Sequence, residues 1–393
     1  MTYKLLSSIY YSDRDNYEAE YLRRFERGVK LGIDINGYQA FYIDEVDLYR
    51  AILAIERINS EISELARLLP GIALNQYEER CLIDEIILTN DIEGVYSTRK
   101  EISQILSDLK YRDGKNRFYG LVNKYTILNR HEIIPLSTSR DIRTLYDELF
   151  YLEVKQEDPQ DLPDGDIFRK NEVKVVNQYL KVVHEGILPE SKIIETMNQA
   201  LGILHDDNIE LLIRTALFHY FFGYIHPFYE ANGRMSRFIS SYMIGKTLHP
   251  LTCYRLSYVI KEHLSRYYKA FQMCNDKHNR GDLTPFVEMF LDVLYKACEQ
   301  LRDDLKQRNE RLEGLTTKIS EYTDDMEMRN LYYHLLQASL FSEHGISTNE
   351  LLKTNNISRP TLIKRLNSVE EKGLLITERL GNSKYYQLDI DKM

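Results

Sequence analysis

One short run, His226-Pro-Phe-Tyr-Glu-Ala-Asn-Gly-Arg-Met-Ser-Arg237, gathers the residue types that phosphoryl-type transfer requires. His226 is a side chain able to take a proton near neutral pH. Glu230 is the only carboxylate of the loop, a hard oxygen ligand suited to Mg²⁺ shared with phosphates. Ala231, Asn232 and Gly233 are small or polar residues that let the backbone approach an anion, and they feed the N-terminus of a following helix. Arg234 and Arg237 offer bidentate, charge-assisted hydrogen bonds to phosphate oxygens. Two arginines in a first helical turn sit unfavourably beside the positive end of the helix dipole, a cost that a bound polyanion would offset.

The elements around this run are read as helices. The preceding segment, residues 208–225, is almost wholly apolar and predicts a buried helix, with Leu211, Leu212, Ala216, Leu217, Phe221 and Phe222 in its body. A helix from about Gly233 places Met235, Phe238, Ile239, Tyr242 and Met243 on one face, with Arg234, Arg237 and Ser241 on the other. Residues 47–69 and 80–94 show the same three- and four-residue apolar spacing, and only 9 prolines interrupt the chain. The stretch from Arg169 to Glu190 clusters β-branched residues around Asn177 and Gln178, which predicts a short hairpin. The acidic stretch before it, residues 156–166, reads as a loop.

Residues His226–Arg237 resemble the signature of the Fic family, H-x-F-x-[D/E]-G-N-G-R-x-x-R, with Ala231 where glycine is commonest. The resemblance extends over roughly 80–300 and includes the hairpin flap. It implies a helical core that transfers AMP from ATP to a Ser, Thr or Tyr hydroxyl of a target protein or of the chain itself. Carried over by position, His226 is the base and Phe228 anchors the loop. Glu230 holds Mg²⁺, and Ala231, Asn232 and Gly233 line the phosphate cradle. Arg234 grips the phosphates and Arg237 the γ-phosphate. Thr89-Asn-Asp-Ile-Glu93-Gly94 is similar to the family's inhibitory pattern, [S/T]-x-x-x-E-[G/N], which implies that Glu93 pairs with Arg237 and blocks productive ATP binding. Acceptor choice in this reading depends on strand-like docking along the flap.

Toward the C-terminus, residues 296–325 are strongly polar and read as a solvated connecting helix. Residues 326–393 then give helix, turn, helix and two short strands around Gly381-Asn382, with Ser358 as a helix cap and Pro360 in the first turn. This unit resembles a winged helix. Arg359, Thr361, Lys364, Arg365 and Lys384 present a basic face, while Glu370, Glu371 and Glu378 lie nearby, so DNA binding and protein docking both fit.

The expected fold is therefore mostly α, a Fic helical core with a short β-hairpin flap and a C-terminal winged helix-turn-helix. The expected domains are 1–110 (a helical region with the inhibitory helix), 111–300 (catalytic), 301–325 (connecting) and 326–393 (winged helix). A net charge of −9 argues against wholesale binding of nucleic acid or anionic membrane. The 4 scattered cysteines and the absence of a long apolar run point to a reduced, cytoplasmic protein. The alternatives are a DNA-binding transcriptional regulator whose Fic domain senses nucleotide, and a Fic enzyme that removes AMP. The resemblance is compatible with a homodimer. His219, seven residues before His226, reads as packing, Gly245-Lys-Thr fails the phosphate-loop spacing, and Tyr267 places a hydroxyl near the nucleotide.

Overall fold

The computed structural model describes residues 3–109, 116–128, 132–176, 182–380 and 383–393. The chain opens with α1 (Leu6–Ser12) and α2 (Arg14–Arg27), then a hairpin of β1 (Val29–Ile35) and β2 (Tyr38–Tyr42). Five helices follow: α3 (Val46–Leu68), α4 (Gly71–Ile92), α5 (Arg99–Asp108), α6 (Tyr119–Ile127) and α7 (Ser139–Glu157). A second hairpin, β3 (Lys174–Val176) and β4 (Val182–Glu185), precedes α8 (Glu190–Leu204), α9 (Leu211–Ile225) and α10 (Asn232–Ile244). Next come α11 (Pro250–Cys253), α12 (Leu256–Glu262), α13 (Leu264–Asn275) and α14 (Thr284–Tyr322). The C-terminal part comprises α15 (Met326–Phe341), β5 (Ile346–Ser347), α16 (Thr348–Asn355), α17 (Arg359–Glu371), β6 (Leu375–Leu380) and β7 (Ser383–Leu388). The chain is mostly helical, with three small antiparallel sheets among the described residues. None of the described helices is long and apolar enough to cross a membrane.

Helix α9 is the centre of the core. Leu212, Ile213, Ala216, Leu217, Phe218, Phe221 and Phe222 are all fully buried, because α8, α10 and α14 surround it. Glu210 caps its N-terminus by accepting from Leu212 and Ile213 N–H. His226 ends it in the left-handed region at φ 50°. The functional run thus begins where a wholly buried helix has to stop.

Two expectations are corrected. The N-terminal region is not all helical: β1 and β2 pair through Asn36-Gly37, both at positive φ, as a tight two-residue hairpin requires. The polar stretch after residue 300 is not a separate solvated helix. It is the second half of α14, a single helix of 39 residues, and Leu301, Leu305, Leu312 and Ile319 remain buried along one stripe against α3 and α15. The expected flap is the β3–β4 pair, in register Lys174 with Glu185 and Val175 with His184. Its turn, including Asn177 and Gln178, lies outside the described residues, as do Gly381-Asn382 and the expected boundary at 110/111. In the C-terminal sheet β7 lies between β5 and β6. Ser358 caps α17 by accepting from Thr361 N–H, with Pro360 in the first turn.

Candidate active site

The loop between α9 and α10 is held from inside. Phe228 is fully buried and stacks on Tyr146 of α7, ring centroids 3.9 Å apart, with Phe168 edge-on at 5.4 Å. Asn232 closes the loop on itself: its Oδ1 accepts from Phe228 N–H at 3.0 Å and its Nδ2 donates to Phe228 C=O at 2.8 Å. The Asn232 side chain is therefore committed to the loop, and its contribution to an anion cradle is the main-chain N–H at the start of α10. Ala231 adopts φ 65°, a conformation in which glycine carries no Cβ penalty. Its position in the left-handed region explains why glycine is the commonest residue at this place in the signature.

His226 is half-buried at the mouth of this loop. Burial, reinforced by His184, pushes its imidazole down to about 4, so the ring is neutral at pH 7. A neutral imidazole carries one unprotonated nitrogen, which can act as proton acceptor. His184 on β4 lies beside it and shares a 2.6 Å hydrogen bond with Tyr224 C=O.

The two arginines do not line a polar face. Almost all of α10 is buried, and Arg234 and Arg237 are 2% and 0% exposed. Their charges are compensated by carboxylates of other helices, which answers the dipole problem without a bound polyanion. Arg234 donates to Glu153 of α7 and, at 3.2 Å, to Asn90 Oδ1 of α4, with its guanidinium 4.9 Å from the Phe150 ring centroid. Arg237 donates to Thr89 Oγ1 at 2.8 Å, to Thr89 C=O at 2.9 Å and to Glu93 Oε1 at 2.7 Å. The Glu93 carboxylate also covers the first turn of α10: a Cβ on Gly233 would stand 2.0 Å from its Oε1. A negative group thus lies where the N-terminus of α10 and Arg237 would otherwise meet an anion.

Glu93 is delivered by the end of α4. Val95 N–H donates to Asn90 C=O and Gly94 N–H to Asp91 C=O, the paired bonds of a Schellman cap. Gly94 takes φ 76°, as that cap requires. Upstream on α4, Glu85 is fully buried and accepts from Ser257 N–H and Oγ of α12. Burial pushes its carboxyl up to about 7.

Glu230 is solvent-accessible. Partial burial and the neighbouring Asp161 raise its carboxyl. A solvent-accessible carboxylate beside the loop would suit Mg²⁺, which takes one or two protein carboxylates and fills its other positions with phosphate oxygens and water. His219 is buried with both ring nitrogens engaged, by Ser240 Oγ at 2.8 Å and Tyr267 hydroxyl at 2.7 Å. The Tyr267 hydroxyl also faces Arg237, so it belongs to the network behind that guanidinium.

Glu153 and Asn90 were not singled out in the sequence, and Arg169 entered it only as the start of the hairpin stretch. Glu153 sits in an amphipathic helix 81 residues before its partner, and only the burial of the pair reveals it. Arg169 is wholly buried and binds main-chain carbonyls, a role that its place at the head of the hairpin stretch does not reveal.

Residues 136–244 match the family model described as Fic/DOC family. The chain is similar to Protein adenylyltransferase Fic of Drosophila ananassae, 26% identical over 237 residues, or 58% of this chain and 43% of that protein. It is 24% identical over 269 residues to the protein of the same name from Drosophila melanogaster, or 66% of this chain and 50% of that one. The chain spans about half the length of these curated relatives. A crystal structure of a Fic family protein from Desulfovibrio desulfuricans G20 superposes with a TM-score of 0.53 at 23% identity, covering 89% of this chain and 98% of that one. That likeness shows the fold.

Proposed function

The chain is a Fic-domain protein, and from that premise we propose that it is an autoinhibited protein adenylyltransferase. The observation that carries the reading is the place of the Glu93 carboxylate, on Arg237 and over Gly233, beside a neutral His226. A carboxylate in an anion cradle competes with a phosphate for the same donors.

In the proposed reaction a target hydroxyl attacks the α-phosphorus of ATP. The new bond joins the hydroxyl oxygen to that phosphorus, and the bond to the β-phosphate oxygen breaks, releasing pyrophosphate. The acceptor nitrogen of His226 takes the hydroxyl proton. The main-chain N–H groups opening α10 hold the phosphates, and Arg234 and Arg237 balance their charge once Glu93 has withdrawn. Mg²⁺ at Glu230 would neutralise charge on the phosphate oxygens and on the leaving pyrophosphate. The test is transfer of α-labelled AMP to protein by the Glu93→Gly chain. No transfer to any acceptor sinks the proposal, and release of AMP from modified protein instead would favour the removal reaction.

A second activity, duplex DNA binding by the C-terminal part, is favoured by one feature. Residues 351–369 carry Lys353, Arg359, Lys364 and Arg365 and no carboxylate, although Arg365 is paired with Glu327 of α15, which leaves Arg359 and Lys364 as the cations of the exposed face of α17. Arg359, Pro360, Ile363, Lys364 and Asn367 share one exposed face of α17. A gel shift lost on Arg359→Glu with Lys364→Glu would support this reading, and absence of any shift in low salt would end it.

A further inference from the structure

Arg169 is fully buried, yet no carboxylate pairs with it among the described residues. Each of its three nitrogens donates to a main-chain carbonyl instead. Nε donates to His226 C=O at 2.8 Å, Nη1 to Asn171 C=O at 2.6 Å and Nη2 to Ile187 C=O at 3.0 Å. Asn171 lies just before β3 and Ile187 just after β4, so one side chain holds both feet of the hairpin. The backbone continues the tie: Arg169 N–H donates to Pro227 C=O at 3.3 Å, and Ile187 N–H to Ile225 C=O at 3.2 Å. Gly186 leaves the necessary room, since a Cβ there would stand 2.2 Å from Arg169 Nη2 and 3.1 Å from His226 Cβ.

A buried cation without an anion is costly, and a loop needing only packing could use an apolar side chain. The planar guanidinium does what an apolar group cannot, because it fixes three carbonyls at set angles around one point. We propose that Arg169 is a positioning residue that registers the β3–β4 hairpin against His226, so that a hydroxyl presented along the hairpin meets the proton acceptor. The inference rests on the adenylyltransferase reading and adds what sets the acceptor geometry. It separates two reactions of one site. Transfer to a protein docked on the hairpin depends on the register, whereas attack by water on the same α-phosphorus does not.

The experiment uses the full chain carrying Glu93→Gly, with MgATP labelled on the α-phosphate. It measures protein-bound AMP, free AMP from hydrolysis and the KM for ATP. Arg169→Met keeps the bulk and removes the donors. Because a misplacement of about 1 Å can cost about 100-fold, transfer to protein should fall by about that factor, while hydrolysis and the KM for ATP change less than about threefold. Arg169→Lys supplies the charge but cannot span three carbonyls, and should restore only a small part of the transfer. If Arg169→Met does not fold, as judged by thermal melting, Gly186→Ala tests the same register by displacing the guanidinium, with the same loss of transfer relative to hydrolysis expected. Equal loss of transfer and hydrolysis, or full transfer in these variants, overturns the assignment. Absence of both reactions in the Glu93→Gly parent overturns the enzymatic reading itself.

Discussion

Replacing Glu93 by glutamine should tighten binding of ATP by about tenfold or more and leave ADP binding within about threefold. Glutamine keeps the size of the side chain and one acceptor oxygen but removes the charge that Arg237 faces at 2.7 Å. A hydrogen bond between charged groups is worth about 1.5–3 kcal/mol. Arg237 is buried but the Glu93 side chain is 31% exposed, which places this pair at the lower end, near the roughly 1.4 kcal/mol that corresponds to tenfold. The two bonds from Arg237 to Thr89 remain, so the guanidinium keeps its place. A triphosphate reaching Arg237 must displace the carboxylate, and that cost lowers its apparent affinity. A diphosphate ending short of Arg237 need not break that ion pair and meets the carboxylate only where it overhangs Gly233, so its gain should be the smaller. Calorimetric titration with a non-hydrolysable ATP analogue and with ADP, both with Mg²⁺, reads the difference. Unchanged affinity for the ATP analogue, or an equal gain for both ligands, would refute the competition between Glu93 and the terminal phosphate.

Three other outcomes follow from the same geometry. With His226 pushed down to about 4, the neutral base is present above that pH and lost below it, so transfer in the Glu93→Gly chain should persist through pH 6 and fall only toward pH 4; a pH–rate profile with its acid limb near 6.5 contradicts this. Glu85 is raised to about 7 from an ordinary 4.5, so the folded state holds the extra proton between those values and loses relative stability as pH rises through them. Glu85→Gln should therefore stabilise the chain by up to about 3 kcal/mol at pH 8 and far less at pH 5, measured by urea unfolding, and an equal effect at both pH values counts against it. Gly94→Ala should destabilise by about 1 kcal/mol, because the position needs φ 76° while the space around it is open; an unchanged melting temperature would mean that the cap relaxes without cost.

The parts of the fold legible in sequence were those with a strong local pattern. The apolar run of α9, the breaks at His226 and Gly94 and the β-branched stretch of the hairpin each carry their own signal. The β1–β2 hairpin was equally legible in Asn36-Gly37 but was hidden by the helical character of its neighbours. The length of α14 was obscured because its surface turns polar while a thin apolar stripe continues inward. At the site, residue types and spacing named His226, Glu230, Arg234 and Arg237, and the resemblance added Glu93. Sequence could not say that α10 would be buried, since the carboxylates making this tolerable come from α4 and α7, 144 and 81 residues earlier. The role of Arg169, which heads the hairpin stretch, was illegible for a related reason, because its partners are carbonyls, which every residue has.

The most direct test of the account is transfer of label from ATP by the Glu93→Gly chain with Mg²⁺, run in parallel with label on the α- and on the γ-phosphate. The account predicts protein-bound label from the α-position only, with pyrophosphate released, and none from either position once His226→Ala is added. Label arriving from the γ-position, or α-label incorporated equally without His226, would contradict it.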